Sequence, residues 1–243
     1  MLRAIAVLPL TIGLLSAASA TSAVDDIIQK NIEARGGLQK IHAIQTLRLI
    51  GTAKINGQID GQITLLLKRP NLYRLDMNLP MGSIVQGFDG VDAWAIDPFS
   101  GSTTPHKLAA SESRSVRDNA DIDGPLVDYR AKGNSIEIAG TDDTGSGPAY
   151  KLKLTMKSGA VTYIWIDAKT WLESQITEMQ TQNGKPVEAR IQFSNYKTVS
   201  GVQLPFSREH TVGPVTMKID FVSGEANQPV DDSVFHMPAT STP

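Results

Sequence analysis

The chain is predicted to be mainly β with a few helices (α+β): one long antiparallel meander of about ten or eleven strands. Three observations predict this. Apolar and polar residues alternate over many short runs, turn dipeptides separate those runs at hairpin spacing, and only two or three short segments carry a helical period. Twisted antiparallel strands in that number must curl or split to cover their dry face. With so few helices, either the helices fill the concave side of an incomplete barrel or the barrel closes on itself.

The first element has the order of a secretory signal peptide over residues 1–20. Arg3 precedes an apolar stretch from Ala4 to Leu15, and the small residues Ala18, Ser19 and Ala20 follow. The apolar stretch is about a dozen residues, short of the roughly twenty that span a membrane. Cleavage is expected after Ala20, with Ala23 as the competing position, so the mature protein is expected outside the cytoplasm. It should form one domain over residues 21–238, followed by a disordered tail, 239–243. Cysteine is absent from all 243 residues, which removes disulfides and the lipidated cysteine of an anchored lipoprotein. Removing residues 1–20 takes Arg3 and no acid, leaving 22 basic against 25 acidic residues, a net charge of −3. No basic stripe is visible, so nucleic acid is not expected as a partner.

Next, Val24, Ile27, Ile28 and Ile32 recur at helical spacing, with Asp25 and Asp26 in the first turn. Gly36-Gly37 should stop that helix, and Leu38, Ile41 and Ile44 suggest a shorter second one. From Thr46 the period becomes two. Leu47 and Leu49 flank Arg48; Tyr73, Leu75, Met77 and Leu79 alternate with Arg74, Asp76 and Asn78. The pattern returns at Leu152, Leu154 and Met156, and again at Met217, Ile219 and Phe221. Asn56-Gly57, Asp89-Gly90, Ser158-Gly159, Asn183-Gly184, Ser200-Gly201 and Gly213-Pro214 supply the turns. Between Lys107 and Lys132 the alternation disappears. A helix over residues 108–120 and a loop through Asp123-Gly124-Pro125 are expected there.

Few residues suggest chemistry. His42, His106, His210 and His236 lack zinc-site spacing, and there is no nucleophile elbow, phosphate loop or dinucleotide fingerprint. Asp25-Asp26, Asp142-Asp143 and Asp231-Asp232 are carboxylate pairs in helix starts or loops, where solvated charge competes with acid catalysis. Asn119, Asp121, Asp123 and Gly124 match the opening of a calcium loop, but its twelfth position is Arg130, not a bidentate Glu. The reading is a non-enzyme without metal or cofactor. Trp94, Trp165 and Trp171 lie in predicted strands, either as core or, for Trp94, at the mouth of a cavity. The many methionines of the apolar faces fit ordinary packing or the lining of a cavity for varied ligands.

Several runs carry a resemblance. Arg35-Gly36-Gly37-Leu38-Gln39-Lys40-Ile41 leading into Leu47-Arg48-Leu49-Ile50-Gly51, Lys68-Arg69-Pro70-Asn71, Gln86-Gly87-Phe88-Asp89-Gly90 with Ala93-Trp94, and Asp123-Gly124-Pro125-Leu126-Val127-Asp128-Tyr129 are similar to segments of the outer-membrane lipoprotein-sorting proteins, the LolA-like carriers. So are Gly201-Val202-Gln203-Leu204-Pro205 and Asp231-Asp232-Ser233-Val234-Phe235. The resemblance covers nearly the whole mature chain and implies an unclosed antiparallel β half-barrel with short helices over its concave side. It also implies a periplasmic carrier that binds acyl chains in an apolar cavity, serving lipoprotein sorting or lipid transport. An envelope-stress sensor or scaffold contacting an inner-membrane regulator is the alternative the family offers. Expected partners are an acylated lipoprotein or lipid, an inner-membrane release complex and an outer-membrane acceptor, with the protein a monomer. For the cavity this suggests Leu75, Met77, Trp94, Ile96, Leu154, Met156, Tyr163 and Trp165. In such carriers a strand arginine holds the lid shut, a role for which Arg48 and Arg74 are the candidates.

Overall fold

Alternation builds thirteen strands in the computed structural model, which describes residues 14–144, 147–182 and 185–239. The helices are α1 (Leu14–Ala34), α2 (Leu38–Ala43) and α3 (Ala110–Asn119). The strands are β1 (Thr46–Ile55), β2 (Ile59–Lys68), β3 (Leu72–Leu79), β4 (Gly82–Phe88), β5 (Ala93–Asp97), β6 (Ser102–Lys107) and β7 (Ser135–Asp143). They continue as β8 (Pro148–Thr155), β9 (Val161–Asp167), β10 (Glu173–Gln182), β11 (Lys185–Val199), β12 (Val202–Val212) and β13 (Val215–Ala226). The strand count exceeds the expected ten or eleven partly because β6 and β7 are edge strands with almost no buried side chains, so they carry no clear alternation. The expected signal peptide lies for the most part outside the described residues; the backbone of 14–20 is helical and continuous with α1. Asn183-Gly184 and residues 240–243 also lie outside them.

All thirteen strands form one antiparallel sheet in the order β6-β5-β4-β3-β2-β1-β13-β12-β11-β10-β9-β8-β7. Two meanders, β1 to β6 and β7 to β13, meet where β1 pairs with β13. The edges β6 and β7 do not pair with each other, so the barrel is unclosed. Segment 108–134, which contains α3, joins the two edges.

Register identifies the inner face from one wall to the other. Leu49 pairs with Leu65 and Leu65 with Leu75; Ala53 pairs with Ile219, Ile219 with Arg208 and Arg208 with Phe193. Ile191, two residues before Phe193 on the same side of β11, pairs with Ile176, and Ile176 with Ile164. On this face the main core gathers Leu47, Leu49, Ile63, Leu65, Phe206 and Phe221 beneath Ile41 of α2 and Val116 of α3. A second cluster packs Ile27 of α1 and Leu126 on Leu152, Leu154, Ile164 and Ile166. The α1–α2 connection needs glycine. At Gly36, with φ 117°, a Cβ would fall 2.2 Å from the Gly201 carbonyl oxygen, so only glycine lets this turn dock on the β11–β12 hairpin.

The outer face has its own cover. After β13 the chain crosses behind β1 to β5 as a strap. The Thr46 hydroxyl donates to the Gln228 carbonyl, Lys68 Nζ to Val230 and Arg74 Nη1 to Val234. The strap ends in a short 3-10 turn, Asp232–Phe235, where the Trp94 indole donates to the Phe235 carbonyl at 2.8 Å. Both rings are fully buried.

Candidate functional site

The helices cover only part of the inner face. Toward the hairpin ends, Ile55, Leu79, Ile84, Ile191, Phe193 and Met217 all point inward and all remain half-buried. Leu75 shares this state, whereas Met77 beside it is sealed. These side chains form a strip of half-buried apolar surface along the inner face of the unclosed sheet.

Of the eight residues suggested for a cavity, the register places Leu75, Met77, Leu154 and Met156 on the inner face. Leu154 and Met156 pack beneath α1 and the Leu126 loop, away from the half-buried strip. Trp94, Ile96, Tyr163 and Trp165 point to the outer face. Ile96 pairs with Val85, and Gly87 lacks a Cβ because the Trp94 ring lies where one would be, 2.3 Å away. Tyr163 and Trp165 share their face with Lys151, whose Nζ stands 4.8 Å from each ring centroid. The physical reason is that β5 and β9 are apolar on both faces, so alternation along them does not distinguish inside from outside.

Among the described residues, neither Arg48 nor Arg74 bonds to segment 108–134. Arg48 is exposed on the outer face, 4.0 Å from Glu225, and Arg74 ties Asp76 to the strap. The arginine that ties this segment to the sheet and to α2 is Arg69, just after β2. Its guanidinium donates to both carboxylate oxygens of Asp123, to the Ile44 carbonyl through Nε at 2.7 Å and to the Ile41 carbonyl at 3.1 Å. Arg35 Nη1 donates to the Asp123 carbonyl at 2.8 Å. One carboxylate thus joins the loop, the α2 end and a strand. Burial pushes the Asp123 carboxyl up, but the hydrogen bonds and charge of Arg69 outweigh it and hold it below its ordinary value.

The acids that resembled a calcium loop are used as anchors: Asp123 binds Arg69, and Asp121 accepts from Lys132 Nζ. Each adjacent acid pair likewise has a structural member. Asp25 accepts from Arg130 and Tyr129, Asp142 from the Trp165 indole, and Asp231 from the Ser233 amide. No cluster of metal-ligating side chains occurs among the described residues, and no helix among them is long and apolar enough to cross a membrane.

A void of about 420 Å³ lies between the α3 end, the Pro125 loop and the β8–β9 turn. Arg117, Lys132 and Lys157 line it with Asp118 and Asp121, and Met156 stands on one wall, so this space is charged where the half-buried strip is apolar. Lost solvation, with the Glu178 charge adding to it, raises the Asp118 carboxyl to about 6. One side of Asp118 stays in water, which dilutes the effect on stability. The folded-state value lies above the unfolded 3.8, so the folded chain binds more proton between about pH 4 and 6 and loses stability as pH rises through that window. Asp118→Asn should therefore gain on wild type between about pH 4.5 and pH 7. Thermal midpoints at the two pH values check this; a constant gap would contradict it.

In fold, the chain is LolA-like. Solved structures that share the architecture include a DUF1329 family protein from Desulfovibrio piger, with a TM-score of 0.59 and 12% identity over 88% of this chain and 97% of that one. A LolA superfamily protein from Nitrosomonas europaea matches with a TM-score of 0.57, 12% identity and the same coverage, 88% and 97%. An outer membrane lipoprotein-sorting protein domain from Vibrio parahaemolyticus matches with a TM-score of 0.55 and 10% identity over 86% and 94%. No protein-family model matches the sequence, and no curated protein does.

Proposed function

We propose that the chain is a periplasmic carrier that holds an acyl chain of a lipid or lipoprotein in the inner groove, for lipoprotein sorting or lipid transport. The observation that carries this reading is the strip of half-buried apolar side chains left on the inner face of an unclosed sheet. The fold shared with an outer membrane lipoprotein-sorting domain supports it, as does the signal-like order of residues 1–20. Burial of hydrocarbon contributes about 0.8 kcal/mol per CH₂, so a chain of about fifteen offers roughly 12 kcal/mol before ordering costs. Cargo held that firmly leaves only toward a membrane or partner that receives it equally well, which is the action of a carrier and requires no chemical step. Leu75 belongs to the proposed lining, with Ile84 and Met217 at its open end.

Titration with a fluorescent acyl probe tests this. Ile84→Asp and Met217→Asp should weaken binding at least tenfold, because a carboxylate in the groove must be desolvated by the incoming chain. Val222→Asp, at an exposed site on β13, should leave it unchanged. Absence of saturable binding, or equal weakening by all three, would refute the reading.

A further inference from the structure

Arg208 is a cation on the apolar inner face of the half-barrel. Along β12, Val202, Leu204 and Phe206 enter the core, and Arg208 follows them on the same face between Ile219 of β13 and Phe193 of β11. The Phe221 ring lies 5.4 Å from its Cζ and covers one side. Among the described residues no acceptor meets its five N–H donors and no carboxylate comes within ion-pair distance; Nε is sealed from solvent. The side chain as a whole keeps partial exposure, with its Cζ beside the Phe221 ring. An inward guanidinium without partners is exceptional, because the desolvation it suffers is ordinarily offset by hydrogen bonds.

Its surroundings define what would complete it. Tyr73 is buried on the inner face within electrostatic reach of Arg208, and its hydroxyl has no partner among the described residues. Tyr196 is occupied, donating to the Glu173 carbonyl at 2.8 Å. His210, two residues along β12, is held at about 4 by burial and by Arg208, so it adds no charge near neutrality. The Glu173 carboxylate lies within electrostatic reach but forms no ion pair. One cation partly offset by one distant acid suits a monoanion better than a dianion. A planar guanidinium matches a carboxylate with two parallel hydrogen bonds.

We infer that Arg208 receives the carboxylate of a free fatty acid whose chain lies along the groove, with the Tyr73 hydroxyl as a second donor. This rests on the carrier reading and narrows its cargo, since ester- or amide-linked chains bring no anion to the site. The test is displacement of a neutral fluorescent acyl ester by dodecanoic acid, dodecanol and dodecyl phosphate near neutral pH, on wild type, Arg208→Met and Arg208→Lys. Wild type should prefer the acid to the alcohol at least tenfold. Arg208→Met should lose that preference, and Arg208→Lys should keep part of it. Equal affinity of wild type for acid and alcohol would overturn the inference while leaving the carrier reading intact, as would a preference that survives Arg208→Met. Tighter binding of the phosphate than of the acid would overturn the carboxylate assignment. Failure of the ester itself to bind wild type would overturn both readings.

Discussion

Trp94→Ala is expected to lower the unfolding free energy by about 4 kcal/mol, the range for deleting a large aromatic from a closed site. The ring is fully buried between the outer face and the C-terminal strap, its indole N–H is bonded to the Phe235 carbonyl, and Gly87 is shaped to receive it. Deletion would leave a cavity behind β4 and β5 and an unpaired carbonyl on the strap. Phe235, also fully buried, belongs to the same contact. Trp94→Ala with Phe235→Ala should therefore cost clearly less than the two single losses added together, because either change alone already loosens the strap. Denaturant unfolding of the three variants checks both statements. A loss below about 1 kcal/mol for Trp94→Ala would mean that the strap is not a structural part of the fold.

Arg69→Ala should cost about 3 kcal/mol, because it strands a largely buried carboxylate and leaves the Ile41 and Ile44 carbonyls without their donor. Arg69→Lys should recover only part, since a point charge cannot reproduce two parallel bonds and two carbonyl contacts together. Asp123 is held below its ordinary value, so the stability it contributes is fully present above about pH 3.8 and is lost as pH falls through its folded value. The gap between wild type and Arg69→Ala should narrow in acid accordingly. Hydrogen exchange should also locate the loss. Protection is expected to fall first in segment 120–134, which Arg69 and Arg35 pin to α2 and β2.

Much of this fold was readable from residues. The period-two runs became β1, β3, β8 and β13, Gly36-Gly37 ended the first helix, and the gap in alternation before Asp123 became α3 and its loop. The direction of faces was harder to read. Where one face meets solvent, as on β3 near Arg74 and Asp76, polar residues mark the outside. On β5, where Ala93, Trp94 and Ala95 are all buried, the pattern is silent, because a strap some 140 residues later in sequence dries the outer face. Arg69 escaped notice for a related reason. It ends its strand, outside the alternation, and its partner Asp123 lies across a loop; the short run Lys68-Arg69-Pro70-Asn71 was the available signal. Arg208 was hidden differently, since a cation following Leu204 and Phe206 at spacing two reads as the end of a strand's apolar face until burial shows otherwise.

The central claim is that the groove carries an acyl chain. Native mass spectrometry of the protein purified from the periplasm without detergent, compared with the same protein after delipidation, tests it most directly. The account predicts a discrete lipid-sized adduct that delipidation removes and that added fatty acid restores. Bare protein in both preparations, with no uptake of added fatty acid, would contradict it.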